Sequence, residues 1–153
     1  CEELLIATAP EGDYYFDWIA DELFVVFFDL SADEAHDLEA RAFRFAESLI
    51  LAKADFVRDH PAPHGIDVGI GVGTALVGMV GAPGMSKVTA AGPIQPLVRQ
   101  LQTEAKEMRR DLGDCDRVVF GAELRASAPG ARPVPRREGI GLREHGRVKA
   151  SQP

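Results

Sequence analysis

Residues 65–92 read GIDVGIGVGTALVGMVGAPGMSKVTAAG. Val68, Ile70 and Val72 alternate with residues that lack bulk, the period-two pattern of a strand. A second apolar run, Leu76, Val77, Met79 and Val80, follows Thr74. Glycines at Gly69, Gly71, Gly73, Gly78 and Gly81 break both runs. Glycine packs nothing and raises the entropy cost of ordering a strand. A run this rich in it marks a place where another backbone or a ligand comes close. A glycine-rich hairpin with no ligand fits the same pattern, and the stretch by itself leaves both open.

The segments on either side supply helices and further strands. Upstream, Tyr14 to Phe28 is rich in aromatic and β-branched residues and reads as a hairpin turning near Ala20-Asp21. Cys1 to Ile6 reads as the end of a helix, and Ala9 to Asp13 as a loop. Ser31 and Glu34 form a capping box for a long helix reaching about Arg58. Leu38, Ala42, Phe45, Leu49, Ala52 and Phe56 make its apolar face, expected to pack on the sheet that contains Val68, Ile70 and Val72. Downstream, Pro93 to about Leu112 is a second amphipathic helix with Leu97, Leu101, Ala105 and Met108 as its buried face and Gly113 past its end. Arg117 to Phe120 is a short strand, Pro129 to Pro135 a loop, and Ile140 to Val148 a weak last strand. Alternating strands and helices predict an α/β or α+β sandwich, one domain over residues 1–153, with a Pro- and Arg-rich segment from residue 129.

Composition narrows the function classes. The 153 residues are 46% hydrophobic and 27% charged, an ordinary globular balance. A net charge of -7 argues against a nucleic-acid surface, which needs phosphate-neutralising Lys and Arg. Arg132, Arg136, Arg137, Arg143, Arg147 and Lys149 nonetheless make the end of the chain basic, a charge run expected to be solvated. No apolar run reaches membrane-spanning length and no basic-then-apolar leader opens the chain, so a cytoplasmic domain without membrane contact is expected. Cys1 and Cys115 give neither a disulfide framework nor metal spacing, and His36, His60, His64 and His145 give no metal spacing either.

Gly69-Ile70-Gly71-Val72-Gly73, then Gly78-Met79-Val80-Gly81, then Val88-Thr89 and Gly92, resemble the central signature of the class III nucleotidyl (adenylate/guanylate) cyclases. Trp18-Ile19-Ala20-Asp21-Glu22-Leu23-Phe24-Val25-Val26-Phe27 is similar to that family's metal-binding hairpin, with Ala20 in place of its glycine. The resemblance covers roughly Tyr14 to Leu124. It implies a ferredoxin-like βαββαβ core, one central, mostly antiparallel sheet with helices packed on it. It also implies a dimer, homo- or heteromeric, with the active site between subunits. The implied reaction is attack of the ribose 3'-hydroxyl of ATP or GTP on its own α-phosphate, assisted by Mg²⁺ or Mn²⁺.

Residue by residue, the resemblance carries a metal-binding aspartate onto Asp21 and base-reading positions onto Asp17 and Thr89. A carboxylate at Asp17 resembles guanylate-forming members, because guanine presents N–H donors. The family's other metal aspartate precedes this one by some forty residues, a spacing this chain does not hold, so its strand and helix are expected to be missing. Asp29 follows Asp21 and is an ordinary strand-end residue in this alignment. The family's transition-state asparagine and arginine fall on Pro96 and Gln100, neither of which can do that work. Gln95 and Arg99 keep the four-residue spacing one position earlier, a shift of about 100° around a helix. Pro96 is expected to push Gln95 out of helical conformation and to begin the helix itself. An impaired or regulatory cyclase domain is the expectation. A GGDEF-like diguanylate cyclase, from Ala20-Asp21-Glu22-Leu23, and a non-catalytic dimerisation or nucleotide-sensing module of the same fold are the alternatives.

Overall fold

The computed structural model of the protein describes residue 3 and residues 14–28, 35–59, 65–84, 87–128, 130–133 and 140–147. The aromatic stretch forms the expected hairpin. Strand β1 (Tyr14–Ile19) pairs antiparallel with β2 (Glu22–Phe27), Ile19 opposite Glu22, around the turn Ala20-Asp21. Ala20 takes φ 57°, in the left-handed region that costs an L-residue roughly 1–2 kcal/mol. This is the position at which the resembled family has glycine.

Helix α1 (Ala35–Asp59) follows; Ser31 and Glu34, the expected capping box, lie outside the described residues. Its buried stripe differs from the expected one. Phe43, Ala46 and Ile50 enter the core, with Ala42 packed beside them. Leu38 and Leu49 are only half-buried and Ala52 is exposed, while the side chain of Phe56 lies outside the described residues. The core takes the 43-46-50 line together with Ala42 and Phe45 of the expected stripe, while Leu38 and Leu49, a step of about 100° away around the helix, are only partly covered.

Strand β3 (Asp67–Ile70) runs parallel to β6 (Cys115–Gly121), Val68 opposite Val118 and Ile70 opposite Phe120. β6 pairs antiparallel with β8 (Ile140–Arg147), and β8 with β7 (Arg132–Pro133). The order is β3-β6-β8-β7, with β6 inside. Alternation on β6 divides the core. Val118 and Phe120 meet α1, Ile70 and Leu124 of a 3-10 helix (Ala122–Ser127). Val119 and Leu142 meet Leu101, Ala105 and Met108 of helix α2 (Ile94–Leu112). Leu97, expected in that face, is exposed. Gly113 ends α2 as expected, at φ 86°, its N–H donating to Arg109 O at 3.1 Å.

The second apolar run does not extend this sheet. Strand β4 (Leu76–Val80) pairs with β5 (Lys87–Ala91) as a separate antiparallel ribbon. Leu76, Met79 and Val80 are 79%, 65% and 60% exposed, and Val72, expected in the core, is exposed as well. The chain leaves the sheet after Ile70, and residues 71–75 belong to no strand. The architecture is thus mixed α+β, mostly antiparallel, with helices on both faces of the four-stranded sheet and two separate ribbons.

Gly69 shows why the opening stretch needs glycine. A Cβ there would lie 2.6 Å from Val98 O and 2.7 Å from Gln102 N, both backbone atoms of α2. The helix crosses β3 at a distance only a bare backbone permits. Gly69→Ala is expected to force α2 outward and to cost about 1–3 kcal/mol in a urea titration. Gly78→Ala, with nothing within 4 Å of its Cβ position, is the matched control.

Candidate functional site

A cavity of about 1380 Å³ lies between β2, β3, α1 and α2. Its α1 wall is mostly apolar, with Leu38, Ala42, Phe45 and Leu49 beside Glu39. The Phe45 ring meets Phe27 edge-on at 5.8 Å. Its α2 wall changes along the helix, from Ile94 and Val98 to Gln102 and Lys106.

Asp21, Gln95, Pro96, Arg99 and Gln100 all line this cavity, though they come from a hairpin turn and a helix far apart in the chain. Asp21 is exposed in the turn after Ala20. Its neighbour Glu22 ties the hairpin to α2, with Lys106 Nζ at 3.3 Å and Arg99 Nη2 at 3.9 Å from its carboxylate. In the orientation its partners dictate, the Gln102 amide donates to Glu22 Oε1 and accepts from Lys106 Nζ, each at 3.2 Å. Pairs this exposed contribute little stability, about 0–1 kcal/mol, but they set where the hairpin sits.

Gln95 and Pro96 lie inside α2, which starts at Ile94 with Pro93 as its cap, two residues before the expected start. The first helical N–H groups have no carbonyl partner in any case, so Pro96 removes no helical hydrogen bond and the turn closes around it. Gln95 Nε2 donates to Ala90 O at 2.6 Å, which commits the amide to the loop before the helix. Arg99 is mostly exposed, and among the described residues its guanidinium makes one long contact, to Glu22. Gln100 is exposed.

Asp17 and Thr89 are outside the cavity lining. Asp17, opposite Phe24, accepts from Tyr15 OH at 3.2 Å. Thr89, half-buried, lies opposite Gly78 in the β4–β5 ribbon. Asp29 lies outside the described residues, as do the side chains of all four histidines and of the basic residues from Arg132 onward.

The sequence reading missed a buried charge cluster at the foot of β3. Asp67 and Arg117 stand opposite each other on β3 and β6. The Asp67 carboxylate, 4% exposed, pairs with Arg109 Nη2 of α2, which also donates to Gly65 O at 2.9 Å. Arg109 Nε is 3.4 Å from Asp114, whose carboxylate accepts from Gly65 N–H at 3.0 Å. Arg117, fully buried, donates to Gly113 O. On the other face Lys53 Nζ meets Asp116 Oδ1 at 2.6 Å, and the same oxygen accepts from Ile66 N–H at 2.7 Å. Burial pushes the Asp67 carboxyl above its ordinary value, against the pull of Arg109 and Arg117. The available signal was charge in two otherwise apolar strands, Asp67 at the start of β3 and Asp116-Arg117 near the start of β6.

A two-ion centre needs several oxygen ligands converging on one point. Among the described residues no group of three or more His, Cys, Asp or Glu could hold a metal ion. Asp21 stands there with one carboxylate, and Glu22 is engaged by two cations. The described donors do not fit a two-metal site. No helix of the described residues is long and apolar enough to cross a membrane. No known protein-family model matches the chain, and no curated protein matches it significantly.

Proposed function

We propose that this chain is a divergent class III nucleotidyl cyclase-like domain, built on the ferredoxin-like core of that family and catalytically incomplete by itself. The observation that carries the reading is the convergence of the Asp21 turn and the first turns of α2, with Gln95 and Arg99, on one cavity large enough for a nucleotide. Arg99, exposed and loosely held, is placed to meet phosphate, and Asp21 to contribute one carboxylate to an ion, Mg²⁺ or Mn²⁺. Gln95 gives one amide N–H to Ala90 O, which holds its side chain toward the loop before the helix. The remaining ligands would have to come from outside the described residues. A role as a regulatory, nucleotide-sensing or partner subunit in signal transduction follows. The exposed apolar ribbon of β4 supports assembly with another such domain, as a homodimer or heterodimer.

The test is to incubate the purified chain with ATP or GTP and Mn²⁺ and to assay cyclic product beside nucleotide binding. Little or no product is expected, because loss of one well-placed charge-stabilising donor costs roughly a hundred- to a thousandfold in rate and the metal defect adds to it. Saturable nucleotide binding, weakened by Arg99→Ala and not by Gln100→Ala, is the expected sensor result. Robust turnover abolished by Asp21→Ala would overturn the incomplete-enzyme reading. Neither binding nor turnover would leave a plain dimerisation module.

A further inference from the structure

One contact in the cavity wall is of a kind that a phosphate would contest. Glu22 stands at the turn end of the hairpin, and its carboxylate meets α2. Arg99, Gln102 and Lys106 follow one another along that helix at steps of three and four residues, which puts them on one side of it. Arg99 and Lys106 are roughly 10 Å apart along the axis, yet both side chains reach this one carboxylate. The Gln102 amide touches both Glu22 and Lys106. All four residues line the cavity.

The two cations are far from saturated. A guanidinium offers five donors and an ammonium three, and at 3.9 Å the Arg99 contact is too long for a hydrogen bond. Among the described residues neither has a second carboxylate partner, and their side chains are 63% and 48% exposed. The next cation on this side of the helix differs. Arg109 is committed to Asp67, Asp114 and Gly65 O, outside the hairpin. Arg99 and Lys106 are countered from the hairpin, by exposed pairs that hold weakly and can change partner at small cost. The hairpin can follow. β1 and β2 pair with each other and with no other described strand. The far end of β2 rests on α1 through Phe27 and Phe45, β1 lies beside β5, and the turn end meets α2 through Glu22. Losing the Glu22 contacts therefore frees the turn without breaking a ladder hydrogen bond.

We propose that Glu22 is a resident stand-in for ligand phosphate, which latches the hairpin turn to the cation side of α2 until a polyphosphate takes its place. The incoming group carries more charge and more acceptor oxygens than one carboxylate, and a guanidinium fits phosphate and carboxylate by the same two-pronged geometry. It draws Arg99 and Lys106 from Glu22, and the turn, with Asp21 in it, leaves α2. The position of the hairpin then reports whether the cavity is occupied. This inference deepens the nucleotide reading and rests on it for the phosphate groups alone.

Tripolyphosphate is the probe, because it has the charge of a nucleoside triphosphate without base or ribose. It is titrated into the full 153-residue chain at low ionic strength with metal chelated, and the heat of binding is followed beside Trp18 emission. Trp18, the one tryptophan, is 55% exposed and stands opposite Leu23, next to the Ile19–Glu22 pair. Saturable binding is expected, with Trp18 emission changing in step. Glu22→Gln should tighten it by about three- to tenfold, the size of two exposed ion pairs that no longer have to be broken. The free variant should already show the Trp18 emission of the occupied native protein. Lys106→Gln should weaken binding by a similar factor. Glu107→Gln removes the same charge from an exposed position of α2 outside the cavity lining and should leave the affinity within about twofold. Equal tightening by Glu107→Gln would mark bulk charge and overturn the latch. An affinity unchanged in Glu22→Gln, or Trp18 emission that ignores occupancy, would do the same. Absence of tripolyphosphate binding overturns the anion site itself. Repeating the titrations with ATP and GTP separates this inference from the nucleotide reading. Nucleotides bound no tighter than tripolyphosphate, yet tightened by Glu22→Gln, sink the nucleotide reading and leave the latch standing. Nucleotide binding indifferent to Glu22→Gln sinks the latch alone.

Discussion

Truncating Phe120 to alanine is expected to lower the unfolding free energy by about 3–5 kcal/mol. Phe120 is fully buried at the centre of the α1 face of the sheet. Its ring stands edge-on to Phe43 at 5.1 Å and 86°, and Ile50, Val118 and Leu124 share its cluster. Opposite it on β8 is Gly141, whose missing Cβ leaves the space that the Phe120 ring occupies. The hole left by alanine would therefore have a bare backbone on one side and could not be filled from β8. Collapse from the helix side is hindered as well, because Glu39 of α1 is tied to Ser127 by a hydrogen bond. A domain of this kind has about 5–15 kcal/mol of stability in all, so the variant should unfold at a much lower urea concentration with an unchanged slope. A loss under about 1 kcal/mol would show that the site repacks freely and that the core is not centred on β6.

Replacing Arg109 by alanine should cost a similar amount, about 3–5 kcal/mol near neutral pH, for a different reason. The substitution strips the guanidinium from Asp67, a carboxylate 4% exposed, and leaves Gly65 O without that donor and Asp114 without that cation. Removing one partner of a buried pair leaves a charge that has lost its water and its counter-ion together. The pH dependence separates this cause from lost packing. Asp67 already holds its proton to higher pH than an unfolded carboxyl does, because of burial, and losing Arg109 raises that value further. A group with a raised folded-state value stabilises the fold at low pH and loses that contribution as pH climbs through the raised value. The deficit of Arg109→Ala relative to the native protein should therefore shrink on acidification toward about pH 4, where the Asp67 charge disappears. A deficit that stays constant from neutral pH to about pH 4 would assign the loss to the arginine's packing alone.

Much of the local structure could be read from residue types, and little of the pairing could. The Ala20-Asp21 turn, the helix ending at Gly113 and the strand through Val118 and Phe120 are local events, fixed by turn chemistry, a left-handed cap and β-branched bulk. The glycine-rich stretch is different. Val68 and Ile70 are buried or half-buried while Leu76, Met79 and Val80 face solvent, and nothing in their order distinguishes the two runs. What distinguishes them is the neighbour: β3 finds β6, and among the described strands β4 finds only β5. The α1 stripe was only partly legible for the same cause: Ala42 and Phe45 are covered as expected, but Phe43 and Leu49 are both apolar and only the position of the sheet selects between them. Of the expected site residues, Asp21, Gln95 and Arg99 share a cavity because the hairpin turn was placed correctly and α2, which starts two residues before Pro96, carries both Gln95 and Arg99 in its first two turns. Asp67 and Arg109 were overlooked because each reads as an ordinary charge until β3 and α2 are laid together.

The central position of β6 bears on how the chain acquires its shape. Residues up to Leu112 contain both long helices and β3, yet the strand that seats them is still to come. β3 must wait for a partner about fifty positions later, as the bond from Ile66 to Asp116 shows. Non-local pairing of this kind makes the search slow, because loop closure costs entropy before any contact repays it. A nascent chain emerging from the ribosome would carry exposed Phe43, Ile50 and Leu101 until β6 arrives. During that interval its apolar helices and open strand edges are the groups a chaperone, or another unfinished copy, would meet first.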